Sequence, residues 1–249
     1  MDSAKHLEFP VKLVAVIPVW NEAGNVLRVL DGLRNLEPQY SIYSIWVDDG
    51  STDGTPQILH DALKPDEGVV LSKVGPRGPG ASFAQGLSYA LQEYPNIALV
   101  LTMEGDMTSD PALIPQMVER AMGATDLVLA SVYHPQGGFV RTSAWRMGVS
   151  GIANALLRWR FGLKAHTLSS FFRVYRTSLL RRVQQHYGVL IRETGYTSMP
   201  ELLIKCARCG AKISEVPFTL DTGLRHGASK MRVFRTTLRY LRLVLRPPF

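Results

Sequence analysis

A chain of 249 residues, 46% hydrophobic and 20% charged, is globular in composition and long enough to bury a core without cross-links. Its two cysteines, Cys206 and Cys209, exclude a disulfide framework and point to a reducing compartment. No uncharged apolar run reaches the roughly 18 residues of a bilayer span, and the N-terminus lacks an apolar signal core, so neither a spanning helix nor secretion is expected. The net charge of +7 is polarised: residues 1–126 carry 8 basic and 17 acidic side chains, residues 127–249 carry 20 and 4. An acidic half suits a metal ion, and a basic half suits phosphate or an anionic membrane.

Val11–Val19 is a β-branched apolar run ended by Pro18 and Asn21, which predicts a buried strand. Val26, Val29, Leu30 and Leu33 recur at helical spacing within Glu22–Leu36. Strands are then expected at Ile42–Val47, Val69–Ser72, Ile97–Thr102 and Leu127–Val132, separated by helices at Thr55–Leu63, Ala81–Glu93 and Pro111–Met122. Beyond a Gly-rich loop at Tyr133–Ser143, the pattern predicts a helix at Ala144–Phe161, a strand at Ser170–Tyr175, a helix at Met199–Cys209 and a strand at Lys212–Pro217. Strands with continuous apolar runs, alternating with helices, predict an α/β domain: a mostly parallel sheet covered by helices on both faces. Ligands of such sheets bind beyond the carboxyl ends of the strands.

The acids fall at those ends. Asp48 and Asp49 close the second strand, and Glu104 and Asp106 close the fourth. Carboxylates converging there can hold Mg²⁺ or Mn²⁺ that bridges to substrate phosphates. The segment Asp48-Asp49-Gly50-Ser51 is also a good plain turn. Cys206 and Cys209 follow a helical apolar pattern and read as structural. The six histidines show no ligand spacing.

Four motifs, in order across residues 11–115, resemble those of family 2 glycosyltransferases. They are Ile17-Pro18-Val19-Trp20-Asn21-Glu22, then Asp48 to Thr55 (DDGSTDGT), then Arg77-Gly78-Pro79-Gly80-Ala81, then Glu104-Gly105-Asp106 with Asp110-Pro111. The resemblance implies a GT-A fold, the nucleotide-diphospho-sugar transferase sandwich, and inverting sugar transfer. It implies nucleotide contacts from Pro18, Asn21, Glu22, Asp48, Asp49, Arg77 and Glu104. Asp106 is implied as catalytic and, with Glu104, as a ligand of Mg²⁺ or Mn²⁺.

The second half resembles the dolichyl- or polyprenyl-phosphate branch of that family. The likeness rests on Gly137-Gly138 with Arg141, Trp145-Arg146, Ser169-Ser170-Phe171-Phe172-Arg173, Gly195 to Glu201, Glu215-Val216-Pro217 and Gly227-Ala228-Ser229-Lys230-Met231. It implies a GDP- or UDP-sugar donor, a mannose or glucose in transfer, and a polyprenyl or dolichyl phosphate acceptor. Arg141, Arg146, Ser170, Arg173, Arg225, Ser229 and Lys230 would bind acceptor or donor phosphates. Arg141, Arg173 and Glu201 would act alongside Asp106 in catalysis. Three departures stand out: Glu104 and Thr167 replace aspartates, and Phe171 replaces a glycine.

Arg232, Arg235, Arg239, Arg242 and Arg246 step by three and four beside Phe234, Leu238, Leu241 and Leu245. This basic amphipathic pattern predicts a helix lying on a membrane surface. The expected layout is a catalytic domain over residues 1–230, with a donor half at about 10–130 and an acceptor half at about 131–230, followed by this helix over 231–249. The expected location is the cytoplasmic face of a membrane, held peripherally. One alternative keeps the fold with a hydroxyl acceptor, which needs a base such as Glu201 or Glu193; another is a non-catalytic nucleotide-sugar binding module. Nucleic acid is not an expected partner, because the acidic half repels phosphate and no recognition motif is present.

Overall fold

The computed structural model describes residues 11–227 and 233–245, without the side chains of Arg146 and residues 233–235. Strand β1 (Val11–Val19) sits inside a seven-stranded sheet with β2 (Tyr40–Asp48), β3 (Gly68–Ser72), β4 (Leu99–Thr102), β5 (Leu127–Ser131), β7 (Arg173–Arg176) and β8 (Ile213–Pro217). The order is β3-β2-β1-β4-β7-β5-β8, and β7 alone runs antiparallel, between β4 and β5. A small second sheet pairs β6 (Gly138–Val140) with β9 (Thr219–Asp221).

Both faces of the main sheet are covered, which is why the middles of its central strands are apolar on both sides. On one side lie α1 (Val26–Arg34), α2 (Thr55–Ala62) and α4 (Ile114–Met122), preceded by a 3₁₀ turn at Pro111–Leu113; their Val29, Leu30, Leu59, Met117 and Val118 pack with Leu13, Ile17 and Trp46. On the other lie α3 (Pro79–Glu93), α6 (Thr177–Tyr187) and α7 (Ser198–Arg208), whose Phe83, Leu87, Leu180 and Leu202 pack with Val14, Val16 and Tyr175. The spacing of Val26, Val29, Leu30 and Leu33 turns one stripe of α1 inward, as expected for an amphipathic helix.

Helix α6 and strands β6 and β9 go beyond the elements expected from sequence. Helix α6 follows β7 directly and buries Leu179, Leu180 and Val183. The C-terminal helix α8 (Val233–Leu245) is not set apart from the domain. It packs on α5 (Ala144–Phe161), buries Leu243 in the core, and lends Thr236, Thr237 and Tyr240 to the cavity described below. Its Leu238, Leu241 and Leu245 stay outside. No described helix is long and apolar enough to cross a membrane.

Candidate active site

The register brings the motifs together. β1 is flanked by β2 and β4, with Val19 opposite Asp48 and Val16 opposite Thr102. The acids that follow β2 and β4 therefore stand on either side of the Pro18–Trp20 turn. Gly105 separates Glu104 from Asp106 because its Cα approaches β1; a Cβ there would lie 2.6 Å from Val19 Cγ1. Beyond these strand ends lies a cavity of about 470 Å³, closed on its far side by α5, α8 and the segment before β7.

On the side of β1, β2 and α3, Pro18, Glu22, Asp49 and Ser82 line the cavity. The Gly78 N–H donates to Asp49 Oδ2 at 2.9 Å; Gly78 has φ +126°, and a Cβ on it would meet the Thr194 carbonyl at 2.4 Å, so glycine is required. Burial raises the Asp49 carboxyl, with the Gly78 amide opposing it. Asp48 turns back to accept from the amides of Gly50 and Ser51 at 3.2 Å, so it shapes the loop and leaves the cavity wall to Asp49. Asn21, at φ +54°, accepts from the Thr52 amide at 2.8 Å on its side chain and donates its own backbone N–H to Ser51 Oγ at 2.8 Å, bracing the same loop. Arg77 is exposed, lies across Gly50 and is not part of the cavity lining.

Glu104 and Asp106 form the acidic centre. Thr108 Oγ1 stands between them and shares its single hydrogen, 2.5 Å from Asp106 Oδ1 and 3.2 Å from Glu104 Oε2, and the Thr108 amide adds a 3.0 Å bond to Asp106. Burial and the neighbouring Asp106 push the Glu104 carboxyl up, while Arg225 and Thr108 pull it back. The Arg225 guanidinium forms an ion pair with Asp106 Oδ2. Burial alone would weaken the Arg225 charge, but Asp106 and Glu104 outweigh it and hold the side chain protonated. Tyr196 closes the side of the centre, its hydroxyl pushed up to about 12 by burial and Glu104.

The arginines expected around the acceptor separate into different roles. Arg173 is fully buried and its guanidinium is used by backbone carbonyls: Ser170 at 2.7 Å, Leu168 at 2.6 Å and Met199 at 2.9 Å. The sequence expectation for it is corrected, because β7 enters antiparallel beside Thr102 and alternation turns Arg173 into the core beneath α7. Its neighbours Ser170 and Phe171 do line the cavity. Phe171 stacks on Phe83 with centroids 5.2 Å apart and meets Tyr196 edge-on, which explains how a side chain is accommodated where glycine is usual.

Arg141 is exposed and paired with Asp221, bridging β6 and β9 at the rim without lining the cavity. Glu201 is likewise corrected. It is fully buried in α7, 2.6 Å from Lys205 Nζ, and accepts from the amides of Arg192 and Glu193. Glu193 accepts from Thr197 Oγ1 at 2.8 Å. Neither lines the cavity. Thr167 takes the expected place of an aspartate in the wall and bonds Ser131 Oγ at 2.8 Å. Arg146 stands on α5 with its side chain outside the described residues; Ser229 and Lys230 lie outside them altogether.

Sequence reasoning missed Thr108, Tyr196 and Asn25. Thr108 had a legible signal, a hydroxyl two residues beyond an aspartate, which favours this local bond. Tyr196 and Asn25 reach the site only through tertiary packing.

Paired carboxylates at the ends of two parallel strands that flank a third, facing a cavity of nucleotide-sugar size, define a phosphate-handling α/β enzyme domain. The chain belongs to glycosyl transferase family 2, whose pattern matches residues 14–184, and it is a glycosyltransferase. Over 223 residues it is 27% identical to the polyprenol monophosphomannose synthase of Mycolicibacterium smegmatis, covering 88% of this chain and 81% of that protein. It is also 27% identical to the undecaprenyl-phosphate mannosyltransferase of Micrococcus luteus, covering 84% and 83%. The GT-A fold is shared with solved glucosyl-3-phosphoglycerate synthase from Mycobacterium tuberculosis, at 19% identity and TM-score 0.69, covering 96% of this chain and 81% of that one. Another structure of that synthase, at TM-score 0.67, holds Mn²⁺, UDP and glucosyl-3-phosphoglycerate.

Proposed function

We propose that this glycosyltransferase moves a hexose, with inversion, from a GDP- or UDP-sugar to a polyprenyl phosphate at a membrane surface. The observation that carries this reading is the distribution of carboxylates. Every acid lining the cavity among the described residues, Glu22, Asp49, Glu104 and Asp106, comes from the nucleotide side. The candidate bases Glu193 and Glu201 are held elsewhere. A hydroxyl acceptor needs a base, whereas a phosphate acceptor is already ionised at neutral pH. The relatives named for polyprenyl and undecaprenyl phosphate support the same choice.

The donor set fits a hard divalent cation: two carboxylates with a hydroxyl between them, already holding the positive guanidinium of Arg225. Glu104 and Asp106 would hold Mg²⁺ or Mn²⁺, which supplies positive charge for the departing nucleoside diphosphate. Asp49, Ser82 and Pro18 orient the nucleoside. Arg225 faces the diphosphate, and the walls from α5 and α8 exclude water and admit the acceptor phosphate to the anomeric carbon.

Helices α5 and α8 support a peripheral membrane position. Trp145, Ile152 and Trp159 of α5 and Leu238, Leu241 and Leu245 of α8 are exposed, and neither helix contains an acid. Exposed aromatics beside arginines suit the headgroup region of an anionic bilayer, at the cytoplasmic face. The test is a screen of GDP- and UDP-sugars with Mn²⁺ or Mg²⁺ and a short polyprenyl phosphate, read by mass spectrometry. The expected product is a glycosyl polyprenyl phosphate. Equal transfer to a simple sugar alcohol, or none with any donor, overturns the reading.

A further inference from the structure

Arg225 is the one lysine or arginine in the cavity lining among the described residues. It sits on Asp106, one of the two carboxylates proposed to hold a divalent cation. Its Nε is buried without a hydrogen-bond partner. The resting position therefore satisfies the charge of the side chain but not all of its donors, and a buried orphan donor is costly. An anion with several oxygens, such as a diphosphate, would satisfy both the charge and that donor.

The loop delivering Arg225 is held from a distance of two hundred residues. Asn25, almost fully buried at the start of α1, exchanges two bonds with the backbone of His226: its Nδ2 donates to the carbonyl at 3.1 Å and its Oδ1 accepts from the amide at 3.0 Å. The same Nδ2 donates to Glu22 Oε2 at 2.6 Å. Arg28 Nη1 reaches the Leu224 carbonyl at 2.9 Å, on the other side of Arg225. Both neighbours of Arg225 are thus pinned to α1, so the backbone stays in place while the guanidinium has a choice of partner.

From this arrangement we infer that Arg225 is the resting counter-ion of the acid pair and a gate on metal binding. A divalent cation and the guanidinium compete for Asp106, since two positive groups beside one carboxylate repel. When the donor's diphosphate arrives, it takes Arg225, and the acids are released to the cation. Metal and nucleotide then bind cooperatively, each raising the affinity of the other by the same factor. The enzyme thereby avoids holding a metal without a donor. This inference rests on the metal site of the proposed function.

The experiment measures Mn²⁺ affinity of the full chain by calorimetry and by electron paramagnetic resonance, with and without UDP or GDP. In the wild type, one of the nucleotides should tighten Mn²⁺ by about tenfold or more. Arg225→Ala should bind Mn²⁺ alone about tenfold more tightly than wild type, and the nucleotide-dependent tightening should shrink by about the same factor. Arg225→Lys, which keeps a charge but loses the planar fork, should fall between them. Thermal melting reports on folding: Arg225→Ala should melt lower without metal and gain more from Mn²⁺ than wild type does. Unchanged or weaker Mn²⁺ binding by a folded Arg225→Ala overturns the gate, as does a wild type whose Mn²⁺ affinity neither nucleotide alters. Asp106→Ala separates the two readings. If it leaves Mn²⁺ binding intact, the metal site itself fails; if it abolishes binding while Arg225→Ala fails to tighten it, only the gate fails.

Discussion

The floor of the cavity and its roof solve the placement of charge in different ways. In the floor, built from the ends of β1, β2 and β4, each acid stands at a strand end or within four residues of it, and is set by bonds from nearby loops: Asp48 to its own turn, Asp49 to the Gly78 amide, Asp106 to Thr108. In the roof and its supports, built from the second half of the chain, the arginines are claimed by remote partners. Arg173 serves backbone carbonyls, Arg141 serves Asp221, and among the described residues Arg225 alone reaches the acids. A carboxylate near a strand end has a short reach, so its position follows from the strand. An arginine spans a long radius with five donors, so its partner is decided by whatever the fold brings within that radius.

The comparison breaks most sharply at Asp106. If the floor carries the chemistry, Asp106→Ala should lower turnover by about a thousandfold, roughly 4 kcal/mol in the barrier, with the fold intact by circular dichroism. Steady-state transfer assays check this, and near-normal turnover would move the chemistry to another group.

Arg173 gives the next largest effect, and in a different quantity. Arg173→Ala orphans three buried carbonyls and should cost about 3 kcal/mol of stability, seen in urea unfolding. An unchanged unfolding midpoint with a raised acceptor requirement would return Arg173 to the phosphate-binding role expected from its motif.

The outer face of the roof is sharpened by its two exposed tryptophans. Trp145 and Trp159 are 73% and 81% exposed, so replacing both with serine should leave the melting temperature in place. The double variant should weaken binding to anionic vesicles by about tenfold, or about 1.4 kcal/mol, through lost apolar burial. Equal co-sedimentation of variant and wild type would remove α5 from the membrane surface.

The smallest effect lies at the end of the sheet away from the cavity and serves as a control outside the floor; there Arg34 reaches Glu67 at 2.7 and 3.1 Å and ties α1 to the start of β3. The bond from Arg34 holds the Glu67 carboxyl down at about 2, against an ordinary 4.5. A depressed carboxylate stabilises the fold above its ordinary value and loses that contribution as pH falls through about 2. Glu67→Gln should therefore cost about 1 kcal/mol near neutral pH, given partial exposure of the pair, and the gap should close in strong acid. Urea unfolding at several pH values reads the difference directly.

Much of the fold was legible because it is written in short-range pattern. The apolar β-branched runs at Val11–Val19 and Leu127–Ser131 mark strands buried on both faces, and Val26, Val29, Leu30 and Leu33 mark a helix stripe. The acids next to those strands were readable for the same reason: a side chain at a strand end must point into the crevice or away from it. Tertiary structure decided the rest. The antiparallel entry of β7 sent Arg173 into the core. Lys205, one turn along α7, claimed Glu201. The packing of α8 on α5 turned an apparent tail into a cavity wall, and a loop two hundred residues from Asn25 carried Arg225 onto Asp106. Local pattern determines which face of an element is apolar, but the partner of a long polar side chain depends on which distant backbone closes around it.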